Sequence, residues 1–358
     1  GIEVSQAGTS LQVKGRGLRG LRAPAAPLDC GNSGTTMRLL SGILCGQNFT
    51  SELVGDESLS RRPMKRIIEP LSAMGAKISG AKGFTAPLKI DGVENLLPLD
   101  YTLPLPSAQV KSTVLFAGLY AEGTTRVVER TATRDHTERM LGLRIVKENG
   151  VQTVEIEGGR KIPATNYSIP GDVSSAAFLT AASILVPNST ITLLRVGLNP
   201  TRTAVLDVFR SMGTKLVVEN ESTKAGEPFG DVTVLPSDIS PRLDLHGSMV
   251  AALIDEIPIL AVVAAVAKGS FRLRDAAELR KKESDRIAVI VGNLRAMGVD
   301  VEESADGFAF ENRKTLIGTA VRTFGDHRIA MAFGVAGLFI PDVVIQGAEC
   351  VDVSFPGF

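Results

Sequence analysis

The chain has little cysteine or histidine, three of each in 358 residues, and Cys30, Cys45 and Cys350 are too scattered for a disulfide framework or a metal knuckle. A reducing compartment, the cytoplasm, is the expectation. Net charge is lacking as well: 39 Lys and Arg offset 39 Asp and Glu. That excludes a chain that coats nucleic acid or a membrane surface by bulk attraction, so any anionic ligand must be met by local cations. No apolar run reaches the roughly 20 residues of a membrane span; Ile257 to Ala267 is among the longest, and Asp255 and Glu256 sit beside it. A Gly-x-Ser-x-Gly elbow, a Cys with a nearby His and a Walker A loop are all missing, which removes the usual signs of serine or cysteine nucleophiles and of P-loop ATP chemistry. The opening, Gly1-Ile2-Glu3-Val4, carries no Met, basic stretch or apolar stretch and reads as a cut end.

What the chain does have is length for two domains and an internal repeat. Leu71-Ser-Ala-Met-Gly75, Phe209-Arg-Ser-Met-Gly213 and Leu294-Arg-Ala-Met-Gly298 each fit a helix that stops at a left-handed Gly and turns into a strand; Glu148-Asn-Gly150 and Gly1 open weaker copies. In step with them come five polar signatures, each ahead of an apolar helix: Gly31-Asn-Ser-Gly-Thr-Thr-Met-Arg38, Ser107-Ala-Gln-Val-Lys111, Gly171-Asp-Val-Ser-Ser175, Asp255-Glu-Ile-Pro258 and Gly325-Asp-His-Arg328. Helices such as Ala176 to Val186 and Ala330 to Ile340 are apolar nearly all round and belong in a core. Those ahead of the Gly stops, Arg62 to Glu69 and Arg286 to Asn293, read as amphipathic and charged. The result is an α/β repeat of about 60–85 residues, with five sets counted and a six-unit parent, three per domain, expected. The domains are expected at 1–182, lacking its first unit, and 183–358.

Helix starts offer free N–H groups and a favourable dipole to anions, and the five signatures lie at such starts. Arg62, Lys111, Arg134, Lys282, Arg286 and Arg328 lie in or beside these segments. Singly each reads as a surface charge or cap; jointly they suggest a pocket for phosphate and carboxylate groups. Asp255 is either an N-cap or an acid/base group, and Glu283 either a local ion-pair partner or the second such group. Arg134-Asp135-His136-Thr137 and Asp326-His327-Arg328 hold potential metal ligands, but an Arg accompanies each His and would repel a cation, so no metal is expected. The Arg face an anion on this reading, while the His orient side chains or cap helices.

Gly31-Asn-Ser-Gly-Thr-Thr-Met-Arg38, Gly55-Asp-Glu-Ser-Leu-Ser-Arg-Arg-Pro63, Ser107-Ala-Gln109, Lys282-Glu-Ser-Asp-Arg286 and Asp326-His-Arg-Ile-Ala-Met331 together closely resemble the 5-enolpyruvylshikimate-3-phosphate synthase family, in order and over essentially the whole chain. Lys-Glu-Ser-Asp-Arg followed by Asp-His-Arg-Ile-Ala-Met is the specific part; the Gly-rich motif alone is weak. The resemblance implies an inside-out α/β barrel of βαβαββ repeats in two domains that close over their substrates. It implies transfer of the enolpyruvyl group of phosphoenolpyruvate to the 5-hydroxyl of shikimate 3-phosphate, with no cofactor, in a cytoplasmic monomer that binds neither nucleic acid nor membranes. It further implies Asp255 as base at the hydroxyl and Glu283 as proton donor and acceptor at the methylene carbon. Gly34, Arg62, Gln109, Arg286 and Arg328 then resemble the phosphoenolpyruvate side, and Ser107, Ala108, Gln109, Arg134, Asp255 and Lys282 the shikimate-phosphate side.

Ser107-Ala-Gln109 and Arg134-Asp-His-Thr look like a bacterial branch that includes glyphosate-tolerant members, yet those known for tolerance carry Ala where this chain has Gly34. Inhibition by glyphosate is therefore expected. Two departures stand out. The family's early Lys-Ser…Arg motif, which the resemblance assigns to both substrates, has no counterpart, and Val353 stands where a Lys is expected before Ser-Phe-Pro. The related UDP-N-acetylglucosamine enolpyruvyl transferase shares the fold but uses a Cys where Gly55 to Pro63 has none. A second alternative, an inactive binding fragment, is opposed by the retention of Asp255, Glu283 and three Arg. An RNA-processing enzyme on a similar repeat fold would want a basic surface that the zero net charge denies.

Overall fold

The computed structural model describes residues 2–358, which form two compact units that divide between Asn166 and Tyr167. The weak repeat copy at Gly1 lies outside the described residues. In the first unit the chain runs strand Leu28–Asp29, buried helix Gly34–Leu44, strand Thr50–Val54, helix Lys65–Ala73, then strands Lys77–Ala81 and Thr85–Asp91. The first two strands pair in parallel and the last closes antiparallel on both of its neighbours. Asp100–Thr102, Ala108–Gly118, Thr124–Glu129, His136–Leu141, Ile145–Glu148 and Val151–Glu157 repeat the same order and the same pairing. A hairpin of Glu3–Ala7 and Ser10–Lys14 precedes them.

The second unit continues the pattern. Its first set keeps only a single parallel bridge, Gly171 to Val196, in place of a first strand. Helix Val173–Leu185 follows, then a three-stranded sheet of Ile191–Gly197, Glu227–Leu235 and Lys215–Lys224. The next set is complete: Arg242–Leu245, helix Ile257–Val266, Ser270–Leu273, helix Arg286–Ala296, Val301–Ser304 and Gly307–Glu311. The last holds the parallel pair Ala320–Arg322 and Val344–Gln346 around helix His327–Gly337. Repeat counting divides the chain at 182–183 and packing divides it at 166–167, since Val173–Leu185 contributes its whole apolar surface to the second unit's core.

The apolar helices occupy the cores, as their composition requires. Ile257 through Ala265 are buried without interruption, and Val173–Leu185, Ile257–Val266 and His327–Gly337 pack against one another. In the first unit Gly34–Leu44 packs on Ala108–Gly118. Small residues make the approach possible: a Cβ on Gly42 would stand 2.3 Å from the carbonyl oxygen of Thr113. Among the described residues no helix is long and apolar enough to cross a membrane.

The three Met-Gly stops form as expected, with Gly75, Gly213 and Gly298 all at positive φ. In each, the N–H after the Gly reaches back to the last turn, Ala76 to Leu71, Thr214 to Phe209 and Val299 to Leu294, which satisfies carbonyls the helix leaves open. Glu148-Asn-Gly150 is a correction. It joins two paired strands, with Asn149 at φ 50 and Gly150 at φ 75, because Asn-Gly suits the mirror-image turn of a tight hairpin. The helix stop of that repeat is Gly142, at φ 59. Arg286–Ala296 also departs from expectation: seven of its residues, Arg286 included, are buried, and its outward stripe is only Ala288, Gly292, Arg295 and Ala296.

Candidate active site

In the first unit, Ser33 caps Gly34–Leu44 by accepting from the Thr36 N–H at 3.1 Å, and Ser107 caps Ala108–Gly118 by accepting from Val110 at 3.4 Å. The two starts lie together. Gln109 donates to Thr35 Oγ1 at 2.7 Å and accepts from Arg38 Nη1 at 2.6 Å. Arg62 reaches the same place from the loop before helix Lys65–Ala73, donating to Asn32 Oδ1 at 3.0 Å, while Asn32 donates to Asp56 at 2.7 Å. Asp56 in turn caps the short helix Glu57–Ser60, so the Gly55–Pro63 loop is tied to the Gly31–Thr36 turn. Gly34 gives the two guanidinium groups room: a Cβ there would stand 2.8 Å from Arg38 Nη1 and 3.5 Å from Arg62 Nη1, and Arg38 would have to shift. Gly34, Arg62, Ser107, Ala108 and Gln109 are thus gathered, and Arg38, not anticipated, belongs with them. Its signal was available, one helical turn after Gly34 on the same face.

Arg134 lies in the loop between strand Thr124–Glu129 and helix His136–Leu141. Lys111 is a correction. It does not face a ligand pocket; its ammonium is wholly buried, 2.9 Å from Glu129 Oε2 and 2.6 Å from Glu138 Oε1. A Lys four residues after a cap points to a core position whenever strand and helix partners bring carboxylates to it, and those partners are far away in sequence.

In the second unit, each residue of Lys282-Glu-Ser-Asp-Arg286 has a place. Asp285 caps helix Arg286–Ala296 through the Ala288 N–H at 3.0 Å and accepts from Arg280 Nη1 with both carboxylate oxygens, at 2.9 and 3.1 Å. Ser284 donates to Asp326 Oδ2 at 3.1 Å. Arg286, with a side chain 1% exposed, donates to Asp326 at 2.8 Å, to Glu283 at 2.6 Å and to Asp255 at 3.4 Å. Burial by itself would lower the Arg286 pKa, but the charges of Asp326, Glu283 and Asp255 push it up, so it stays a cation. Burial works to raise the Asp326 carboxyl and Arg286 overrides it, holding Asp326 below the usual carboxylate value.

Asp255 draws two further cations, Lys282 at 3.6 Å and Arg328 Nε at 3.9 Å, and Arg328 also donates to the Asp255 carbonyl at 3.0 Å. It is not the helix cap, since the helix begins at Ile257 with no side-chain cap bond and Asp255 lies in the turn before it. The local ion pair expected for Glu283 is present, made to Arg286. Nor does His327 cap its helix: the cap is Asp326, which accepts from Arg328 N at 3.0 Å, because an ionised carboxylate is the better acceptor for free N–H groups. Burial, with Arg328 beside it, lowers the His327 pKa and keeps the imidazole neutral. Sequence reasoning passed over Glu256, which is buried and accepts from Ser174 Oγ; burial first, then the neighbouring Asp255, raises its pKa.

Asp255 and Glu283 therefore stand on either side of one fixed guanidinium, with side chains 14% and 16% exposed. That geometry suits reversible proton transfer beside an anion: when either carboxylate takes a proton, the cations around it are left with charge for a ligand to fill.

The family model described as EPSP synthase (3-phosphoshikimate 1-carboxyvinyltransferase) matches residues 1–358. The 3-phosphoshikimate 1-carboxyvinyltransferase of Salinibacter ruber is 53% identical over 352 residues, covering 97% of this chain and 81% of the relative. That of Bacillus subtilis is 46% identical over 362 residues, covering 100% and 84%. A 2.37 Å structure of EPSP synthase from Acinetobacter baumannii aligns with a TM-score of 0.84 at 42% identity, covering 99% of this chain and 82% of that one. With a family model matched from end to end and relatives this similar, the chain belongs to the EPSP synthase family.

Proposed function

We propose that this chain transfers the enolpyruvyl group of phosphoenolpyruvate to the 5-hydroxyl of shikimate 3-phosphate, releasing phosphate, with Asp255 and Glu283 as its proton-transfer groups. The observation that carries this reading is the convergence of Lys282, Arg286 and Arg328 on Asp255, with Glu283 bonded to the same Arg286. Asp255 takes the hydroxyl proton, and the oxygen's electron pair forms the new bond to C2 of phosphoenolpyruvate. The alkene pair takes a proton from Glu283 at C3, giving a tetrahedral intermediate. Glu283 then recovers a proton from the new methyl group, the alkene re-forms, and the C2–O bond breaks so that phosphate leaves with that bond's electron pair and takes up the proton that Asp255 removed. Acid–base catalysis of this kind is worth about 10²–10⁴ in rate, and fixed cations add electrostatic stabilisation. No step calls for a cofactor.

Arg286 and Arg328, with Gly34, Arg62 and Gln109 in the first unit, are assigned to phosphoenolpyruvate. Ser107, Ala108, Gln109, Arg134, Asp255 and Lys282 are assigned to shikimate 3-phosphate. The lack of a side chain at Gly34, where a Cβ would crowd Arg38 and Arg62, supports inhibition by glyphosate. The three free thiols suit a reducing, cytoplasmic setting, and we expect a monomer. The test is phosphate release by the purified protein. Release should require both substrates, fail when UDP-N-acetylglucosamine replaces shikimate 3-phosphate, fall with glyphosate, and drop about 10²–10⁴-fold in kcat for Glu283→Gln. Release with the nucleotide sugar, or an unimpaired Glu283→Gln, would overturn the assignment; indifference to millimolar glyphosate would overturn the inhibitor reading.

A further inference from the structure

The first unit holds a buried charge cluster that the chemistry above does not use. Lys111 sits one turn into helix Ala108–Gly118, its N–H bonded to the Ser107 carbonyl at 3.1 Å. Its ammonium, 0% exposed, meets Glu129 at 2.9 Å and Glu138 at 2.6 Å, both also buried. Glu129 ends strand Thr124–Glu129, and its Oε2 accepts from Gln152 at 3.0 Å as well. The other oxygen, Oε1, accepts from Thr133 Oγ1 at 2.5 Å. Beyond Arg134, Thr137 Oγ1 and Ser112 Oγ share a hydrogen bond of 2.7 Å.

The segment carrying Arg134 is thus held on both sides. Thr133 hangs from Glu129, while Thr137 and Glu138 are tied to Ser112 and Lys111. Both anchors lead to the helix whose start carries Ser107, Ala108 and Gln109. A buried ion cluster is weak evidence for stability, since apolar replacements of the same volume are often as stable. What it does supply is fixed geometry between the elements it joins. Here those elements are the two segments that hold the groups assigned to the phosphate-bearing substrate.

We infer that Thr133, held by Glu129 and its partner Lys111, is a positioning residue that sets Arg134 for shikimate 3-phosphate. This rests on the assignment of Arg134 and Ser107–Gln109 to that substrate. Thr133 is half-buried, so Thr133→Val removes one hydroxyl and leaves the Lys111 cluster whole.

The experiment is steady-state kinetics on the purified protein with Thr133→Val, Thr133→Ser, Arg134→Ala and the double variant Thr133→Val/Arg134→Ala. Loss of a hydrogen bond to a charged acceptor should raise KM for shikimate 3-phosphate roughly tenfold in Thr133→Val. Thr133→Ser should restore it, kcat and KM for phosphoenolpyruvate should stay within about twofold, and the double variant should be no worse than Arg134→Ala, because coupled residues do not add. An unchanged KM in Thr133→Val beside a raised one in Arg134→Ala would overturn the positioning role and leave the substrate assignment standing. Equal loss in kcat and both KM values, or additive effects in the double variant, would also overturn it. If Arg134→Ala leaves KM for shikimate 3-phosphate unchanged, the substrate assignment of Arg134 fails and the positioning role falls with it.

Discussion

Gly34 leaves room for two guanidinium groups, and the consequence is measurable. A methyl there would press on Arg38 Nη1 and slacken its bond to Gln109, a charge-assisted contact of the kind worth roughly 1.5–3 kcal/mol. Gly34→Ala should therefore raise KM for phosphoenolpyruvate by about tenfold or more, and an unchanged KM would show that the Arg38–Gln109 contact has no part in binding. Asp326 is the deeper case. It is wholly buried against Arg286, and removing one partner of a buried pair costs about 3–5 kcal/mol because the other charge is left uncompensated. Asp326→Asn should lower the urea midpoint of unfolding accordingly, and a midpoint near wild type would contradict the ion-pair account. Asp255 and Glu283 were legible from sequence as residues but not in their alternatives. Only the structure separates a cap from a charge partner, because Lys282, Arg286 and Arg328 reach Asp255 from other elements.

Among the elements, the helix stops were the most legible, since only Gly takes a left-handed terminus without strain. Gly150 misled because Asn-Gly serves a helix end and a tight hairpin equally, and the choice depends on which strand lies opposite. Lys111 misled for a similar reason: its partners Glu129 and Glu138 come from another strand and another helix. The burial of Arg286–Ala296 was obscured by its leading charge, which pairs inward. Two stops predict different outcomes. Gly75 and Gly213 share positive φ, but a Cβ on Gly75 meets open space and one on Gly213 meets the Asp238 carbonyl oxygen at 2.8 Å. Both Ala variants should lose about 1–2 kcal/mol to the left-handed backbone, and Gly213→Ala should lose more; equal thermal shifts would contradict this.

At the scale of the molecule, each unit buries one glutamate whose pKa is held above the ordinary 4.5, Glu138 and Glu256, burial being the largest cause in both. The native state then binds the proton more tightly than the unfolded chain. Stability from these groups is greatest below the ordinary value and falls as pH climbs through it to the raised one. Asp326 acts oppositely: its pKa lies below the ordinary 3.8, so its stabilisation is present above that value and is lost in stronger acid. Hydrogen exchange in each unit should show protection declining as pH rises out of the acid range, after correction for intrinsic exchange. Glu138→Gln should flatten the decline in the first unit and Glu256→Gln in the second. A decline unaltered by either substitution would place its origin elsewhere.

The repeat was readable because two elements keep step along the chain, whereas the convergence of three cations on one carboxylate depends on packing within a unit. That convergence is on Asp255, and Glu283, bonded to the same Arg286, is the group proposed to give and recover a proton at the methylene carbon. The most direct measurement is the mass of the enolpyruvyl product formed in D2O. Deuterium in its vinyl methylene group is predicted for the wild-type protein, because a methyl group formed with solvent-derived deuterium must lose a hydrogen again. Product formed at a normal rate without any deuterium at that carbon would contradict addition and elimination at this site.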